Sequence, residues 1–252
     1  MMRKFLLTVL ISMLAGGAGA AEIKVFCPGA VRSVVAEPAQ AFQRSSGHSV
    51  KLEYGTAGAV AKRVAAGDIG DVAITTASSL AKLAEEGRII ADSRRDLGKV
   101  GVAVAVRSGA TLPDISTPDA FKRAMLGAKS VMYADPALGG QSGIHAARVF
   151  EKLGIAEAMK PKTMLRPGAP QGLVEVANGD IEIGIGQMSE IVAAKGVRVA
   201  GPLPGELQNT LTFSAGIVGS TKAAGIAREF IGLLVSPGAR EKFKAAGFDL
   251  PE

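Results

Sequence analysis

The pattern that most restricts how this chain can fold is a recurring unit: a short apolar strand, a glycine-bearing turn, then an amphipathic helix. Its fullest instance is Ser130-Val-Met-Tyr-Ala-Asp-Pro-Ala-Leu-Gly-Gly-Gln-Ser-Gly-Ile-His145. The helix continues through Ala146, Ala147, Val149, Phe150 and Leu153, apolar on one face at helical spacing, and Gly154 stops it. A second instance is Leu52-Glu-Tyr-Gly-Thr-Ala-Gly-Ala-Val60. Glycines let the backbone approach a guest closely, and a helix N-terminus presents unpaired N–H groups, so each turn is suited to an anion. Two such turns in separate halves of the chain imply one ligand held between two lobes.

Taken in order, strands are expected at Glu22 to Phe26, Ser49 to Tyr54 and Asp71 to Thr75, and each leads into a helix. The first helix runs to about Ser45, with Pro38 bending or restarting it. This βαβαβα order predicts an α/β fold with a mainly parallel sheet flanked by helices. Val100 to Arg107 is an even apolar run, read as the first crossing between lobes, and Gly201-Pro-Leu-Pro-Gly205 as the return. Between them lie a helix from Thr117-Pro118, the organising unit, a strand at Lys162 to Leu165, a strand at Glu182 to Gly186 and a strand at Val197 to Ala200. A strand at Leu211 to Val218 and two helices finish the chain. The lobes are therefore expected at 22–102 with 206–252, and at 103–205.

Residues 1–21 read as an export signal. Arg3 and Lys4 precede the apolar run Phe5 to Leu14, and Ala18-Gly-Ala20 offers a small-x-small cleavage pattern near Ala20-Ala21. The run is about half the ~20 residues that cross a bilayer. A periplasmic protein of about 230 residues is expected, enough for two modest α/β lobes. The formal charge of +6 is spread along the chain without interleaved aromatics, which argues against a nucleic-acid surface. One cysteine, Cys27, and two histidines allow neither an internal disulfide nor a zinc framework, so no metal or cofactor is expected.

The motifs Gly55-Thr-Ala-Gly-Ala-Val-Ala-Lys62, Asp71-Val-Ala-Ile-Thr-Thr76, Ala134-Asp-Pro136 with Ser142-Gly143, Lys152-Leu-Gly154, Gly184-Ile185, Ala194-Lys-Gly-Val197 and Gly247-Phe248 resemble one family in order along the chain. It is the solute-binding proteins of ABC transporters, in the molybdate-binding-like (type II) group that includes an aconitate isomerase-like branch. The resemblance implies two α/β lobes with an anion clamped in the cleft between them by N–H groups and hydroxyls. The family's two oxyanion-holding serines align with Ala30 and Ala57, its tyrosine after the Gly-Ile strand with Gln187, and its pocket alanine with Ser142. Losing two hydroxyl donors costs a buried tetrahedral dianion roughly 1–3 kcal/mol each. Molybdate or tungstate is thereby disfavoured against an organic di- or tricarboxylate.

Three functions of different class follow from the resemblance. The chain is a monomeric carrier delivering such an anion to an ABC permease, a cofactor-free isomerase interconverting cis- and trans-aconitate, or an adhesin or sensor that reuses the fold. Ligand-binding candidates are Gly29 and Ala30, then Gly55, Thr56, Ala57 and Gly58, then Thr75 at a strand end, then Gly140, Gln141, Ser142 and Gly143, and finally Arg166 and Gln187. No catalytic residue is assigned. Arg166 offers a guanidinium fork to a carboxylate, and one of Arg32, Lys62 and Arg63 is expected to join it. Tyr54 suits either ligand or core. His145 reads as a helix-surface or packed histidine, and Glu190 as a helix cap or a solvent-facing residue.

Overall fold

The computed structural model describes residues 20–251; of the stretch 1–21 expected to be an export signal, 1–19 lie outside the described residues. The strands are β1 (Glu22–Pro28), β2 (Ser49–Gly55), β3 (Val72–Thr76), β4 (Arg95–Arg107), β5 (Val131–Ala134), β6 (Thr163–Arg166), β7 (Ile183–Gln187), β8 (Val197–Pro202) and β9 (Thr210–Ile217). The helices are α1 (Arg32–Ser46), α2 (Ala57–Ala66), α3 (Ala77–Glu85), α4 (Pro118–Gly127), α5 (Gln141–Lys152), α6 (Ala156–Met159), α7 (Ala169–Asn178), α8 (Met188–Ala193), α9 (Ala224–Leu234) and α10 (Pro237–Ala245). Local chemistry sets many of these ends. Thr56, Thr76 and Thr117 each accept an N–H of the following helix, and Gly47, Gly67 and Gly179 close helices with positive φ. Pro38 does not restart α1; the helix runs through it with the ring buried.

The strand order is β2-β1-β3-β9-β4-β7-β5-β6, with β8 also on β4. Strands β2, β1 and β3 are parallel, as are β7, β5 and β6. The antiparallel pairings all involve β4 or β9. The sheet is thus mixed: parallel among β2, β1 and β3 and among β7, β5 and β6, as βαβ units require, and antiparallel wherever β4 or β9 takes part.

Strand β4 carries that passage. Arg95 to Gly101 pair with β9, whereas Val102 to Arg107 lie between β7 and β8. Beyond the crossing its side chains alternate between two cores. Val102, Val104 and Val106 pack with Phe121, Met125 and Phe150 on one face, and Ala103 and Ala105 with Met132, Leu173 and Ile191 on the other. Burial on both faces explains the unbroken apolar run. The return crossing is tied to the outgoing one at Val102, whose N–H donates to Gln208 Oε1 (3.0 Å) and whose carbonyl accepts from Gln208 Nε2 (2.9 Å) and Leu203 N (3.1 Å).

The other half repeats the design. Ile23, Val25 and Cys27 of β1 face a core with Val34, Phe230 and Phe243, while Phe26 faces Val60, Leu80 and Leu83. Burial pushes the Cys27 thiol up to about 12, so it packs as a small apolar side chain.

Candidate functional site

In parallel α/β sheets ligands collect beyond the strand C-termini, where turns lead into helices. Here the junctions after β1, β2, β5, β6 and β7 converge on one cavity of about 240 Å³. That is far above the roughly 10–15 Å³ that admits a single water. Both glycine turns singled out in the sequence contribute to it. Thr56 and Ser142, from opposite halves of the chain, line the same space.

The first turn supplies Gly29 and Ala30, and the second supplies Gly55, Thr56 and Ala57. Thr56 has a single O–H, which donates to the Leu138 carbonyl, while its oxygen accepts from Ala59 N (3.0 Å). The hydroxyl is therefore spent on a helix cap and a bond to the other lobe. The structure keeps Gly58 out of the cavity wall and in that same contact. Its N–H donates to Gly139 O at 3.2 Å, and a Cβ added at Gly58 would lie 2.7 Å from Gly139 Cα. Thr75 is fully buried behind the wall, donating to the Ala57 carbonyl at 2.8 Å, and so props the turn from outside the cavity.

From the other half come Gly140, Gln141 and Ser142, at the start of α5. No side chain caps this helix, so its first-turn N–H groups have no partner from a cap. Gly143 lies behind the wall, pressed onto the end of β5. Gln187 is 3 % exposed, and neither its Nε2 nor its Oε1 has a hydrogen-bond partner among the described residues. An unmatched buried amide costs roughly 1–3 kcal/mol, and this one borders the cavity.

Arg166 is placed elsewhere. Its guanidinium forms a two-pronged pair with Glu175 and does not line the cavity. The pair holds the Glu175 carboxyl below its ordinary range. The residues just after Arg166, namely Pro167 to Gln171, line the wall instead. Arg166→Ala is expected to leave anion affinity within about twofold of wild type, measured by calorimetry. A tenfold loss would restore Arg166 as an anchor.

Of the other basic candidates, Arg63 stacks on Phe26 and pairs with Glu53 and Asp68, and Lys62 faces solvent. Arg32 is the cation of the wall. Its guanidinium lies 4.0 Å over the Tyr54 ring, which also lines the cavity, and it has no carboxylate partner among the described residues. His145 is a packing residue, with Nε2 2.7 Å from the Leu207 carbonyl.

Glu190 meets the capping expectation and adds a second position to it. It caps α8, with Oε2 accepting from Gln187 N at 3.0 Å, and the half-buried side chain also lines the cavity. Enclosure without a cation pushes its pKa from 4.5 up to about 7, opposed only by that N–H bond. Between these values the folded chain holds a proton that the unfolded chain has lost. Stability contributed by the group is complete below about pH 4.5 and is lost as pH rises through about 7. Urea unfolding of Glu190→Gln is expected to lack this slope.

Comparison with known proteins follows the same outline. The profile of the bacterial extracellular solute-binding protein family matches residues 23–249. Aconitate isomerase of Pseudomonas sp is 32% identical over 233 residues, covering 89% of this chain and 86% of that protein. Molybdate-binding protein ModA of Escherichia coli (strain K12) is 25% identical over 240 residues, covering 94% and 93%. In three dimensions, the periplasmic molybdate-binding protein of Azotobacter vinelandii superposes with a TM-score of 0.76 at 20% identity, over 91% of this chain and 100% of that one. A two-lobe α/β fold, strand ends gathered on one cleft and a full-length family match lead to one assignment: the chain belongs to the bacterial extracellular solute-binding protein family.

Proposed function

We propose that the protein captures a small organic di- or tricarboxylate in the periplasm and, as a monomer, presents it to an ABC permease. The lobes would be residues 22–102 with 206–252, and 103–205, turning about the paired crossings at Val102 and Gln208. The observation that supports an organic guest is the make-up of the wall. Ala30, Ala57, Ala134, Ala169 and Phe213 present carbon to the cavity, while Arg32, Ser142 and Gln187 bring donors to it. A tetrahedral oxyanion has no apolar surface to bury against such carbon. A polycarboxylate has both a carbon framework and charged ends suited to a guanidinium fork.

The test is thermal unfolding with molybdate, tungstate, sulfate, citrate, cis-aconitate, trans-aconitate and tricarballylate. A guest at a hundred times its Kd stabilises the fold by about 2.7 kcal/mol, or roughly 5–11 °C for a chain of this size. Tricarboxylates are expected to give that shift and molybdate little. A shift from molybdate or tungstate alone would reverse the assignment.

A second reading is isomerisation of aconitate on the same fold, and the 32% identity to aconitate isomerase is what favours it. The reaction moves one proton from the methylene carbon to the vinyl carbon as the double bond shifts, with no net gain or loss of atoms. Proton NMR of the protein with cis-aconitate separates the two: growth of trans-aconitate signals makes it an enzyme, and tight binding with an unchanged spectrum makes it a carrier.

A further inference from the structure

An anion cavity with a carboxyl in its wall poses an electrostatic problem, because two like charges in an enclosed space repel strongly. Glu190 is that carboxyl. It is held in place: Oε2 accepts from Gln187 N, and Oε1 lies where a side chain on Gly29 would sit, 2.9 Å from the position of an added Cβ. Beside it is the Gln187 amide, buried and unmatched among the described residues. The charged and titratable groups around Glu190 are Arg32 from α1, Tyr54 from β2 and Lys195 just beyond α8. From α7 come Pro170 and Gln171, and from β7 comes Gln187. None of these forms an ion pair with Glu190 among the described residues, and Arg32 is stacked on Tyr54 instead.

We propose that Glu190 holds the guest as the neutral acid, donating its proton in a hydrogen bond to a guest carboxylate, so that wherever the free carboxyl is ionised each anion binds together with one proton from solution. Glu190 would then select for a carboxylate and, with Gln187, occupy the side of the cavity opposite in character to Arg32. This rests on the organic-anion reading above. The near-neutral titration of Glu190 in the free protein is in keeping with it, since a bound anion raises the proton affinity further.

Calorimetry with tricarballylate, which has no double bond to shift, tests this. Binding is measured at about pH 8 in buffers of different ionisation enthalpy. Wild type is expected to take up close to one proton per guest, and its affinity to fall about tenfold per pH unit above pH 7. In Glu190→Gln the amide keeps the acceptor for Gln187 N–H and donates without titrating. Uptake is expected to vanish and affinity to stay level from pH 7 to 9, exceeding wild type about tenfold or more at pH 9. Tight wild-type binding with no proton uptake at pH 8 overturns the proposal while leaving the anion reading intact, and this arm needs no variant. The same decline with pH in both proteins also overturns it. If none of citrate, cis-aconitate, trans-aconitate and tricarballylate binds anywhere between pH 5.5 and 9, the tricarboxylate reading fails and takes the proposal with it.

Discussion

Gly58→Ala is expected to fold as well as wild type and to bind its anion roughly fivefold to 150-fold more weakly. Within its own lobe Gly58 sits in the first turn of α2, where alanine is the better helix former. The obstruction lies across the cleft. The new Cβ would stand 2.7 Å from Gly139 Cα and 3.0 Å from Gly139 O, both backbone atoms that no rotamer change can move aside. The lobes would have to part, breaking the bond from Gly58 N to Gly139 O and that from Thr56 Oγ1 to Leu138 O. At about 0.5–1.5 kcal/mol per bond, the loss converts to the range given. Gly139→Ala is a poorer test, because Gly139 has φ 74° and any side chain there is strained regardless of closure. Calorimetry gives the affinity, and small-angle scattering at saturating anion reports whether the variant stays more extended than wild type. Equal affinity in the two proteins would mean that this contact is not part of the liganded state.

Gly143→Ala is expected to damage the fold itself. An added Cβ would fall 1.6 Å from the Ala134 carbonyl oxygen and 2.7 Å from its carbon. Helix α5 must then lift off the end of β5, although Ala146, Val149 and Phe150 anchor it in the core beside Val131 and Tyr133. Overpacking costs about 1–3 kcal/mol where side chains can adjust, and more where they cannot. A loss of about 3 kcal/mol or more, or roughly 6–12 °C in Tm, is the expected result in urea and thermal melts. Gly172→Ala is the control. There the new Cβ would meet Met132 Cε at 2.2 Å, the far end of a flexible side chain, so a smaller loss is expected. A Gly143→Ala variant as stable as wild type would show that α5 is not seated on β5 as described.

The two variants separate two uses of glycine in one motif. At Gly143 the missing side chain lets a helix sit on its own strand, and at Gly58 it lets one lobe touch the other. From sequence both read as ligand contacts; in the fold both lie outside the cavity lining and set where Gln141, Ser142, Thr56 and Ala57 lie.

What the sequence determined by itself is what depends on neighbours a few residues apart. Strand cores such as Val72 to Ile74, threonine caps such as Thr56, glycine stops such as Gly67, and the strand-to-helix turns that bear most of the cavity wall are local, so periodicity and turn chemistry reveal them. The start of β4 was hidden because Arg95, Asp96 and Lys99 interrupt the apolar pattern; its pairing with β9 comes from residues more than a hundred positions away. Tertiary structure alone decided which charges line the cavity. Arg166 and Arg32 look alike as isolated fork-bearing side chains, but Glu175 one helix later neutralises the first, while the second stacks on Tyr54 at the cavity. Glu190 reads from sequence as a capping or solvent-facing residue; folding keeps the cap and brings Gly29 of another segment against its carboxyl. The reason is that a side chain's charge state and direction depend on the enclosure and partners around it, and those are supplied by segments that meet only when the chain is folded.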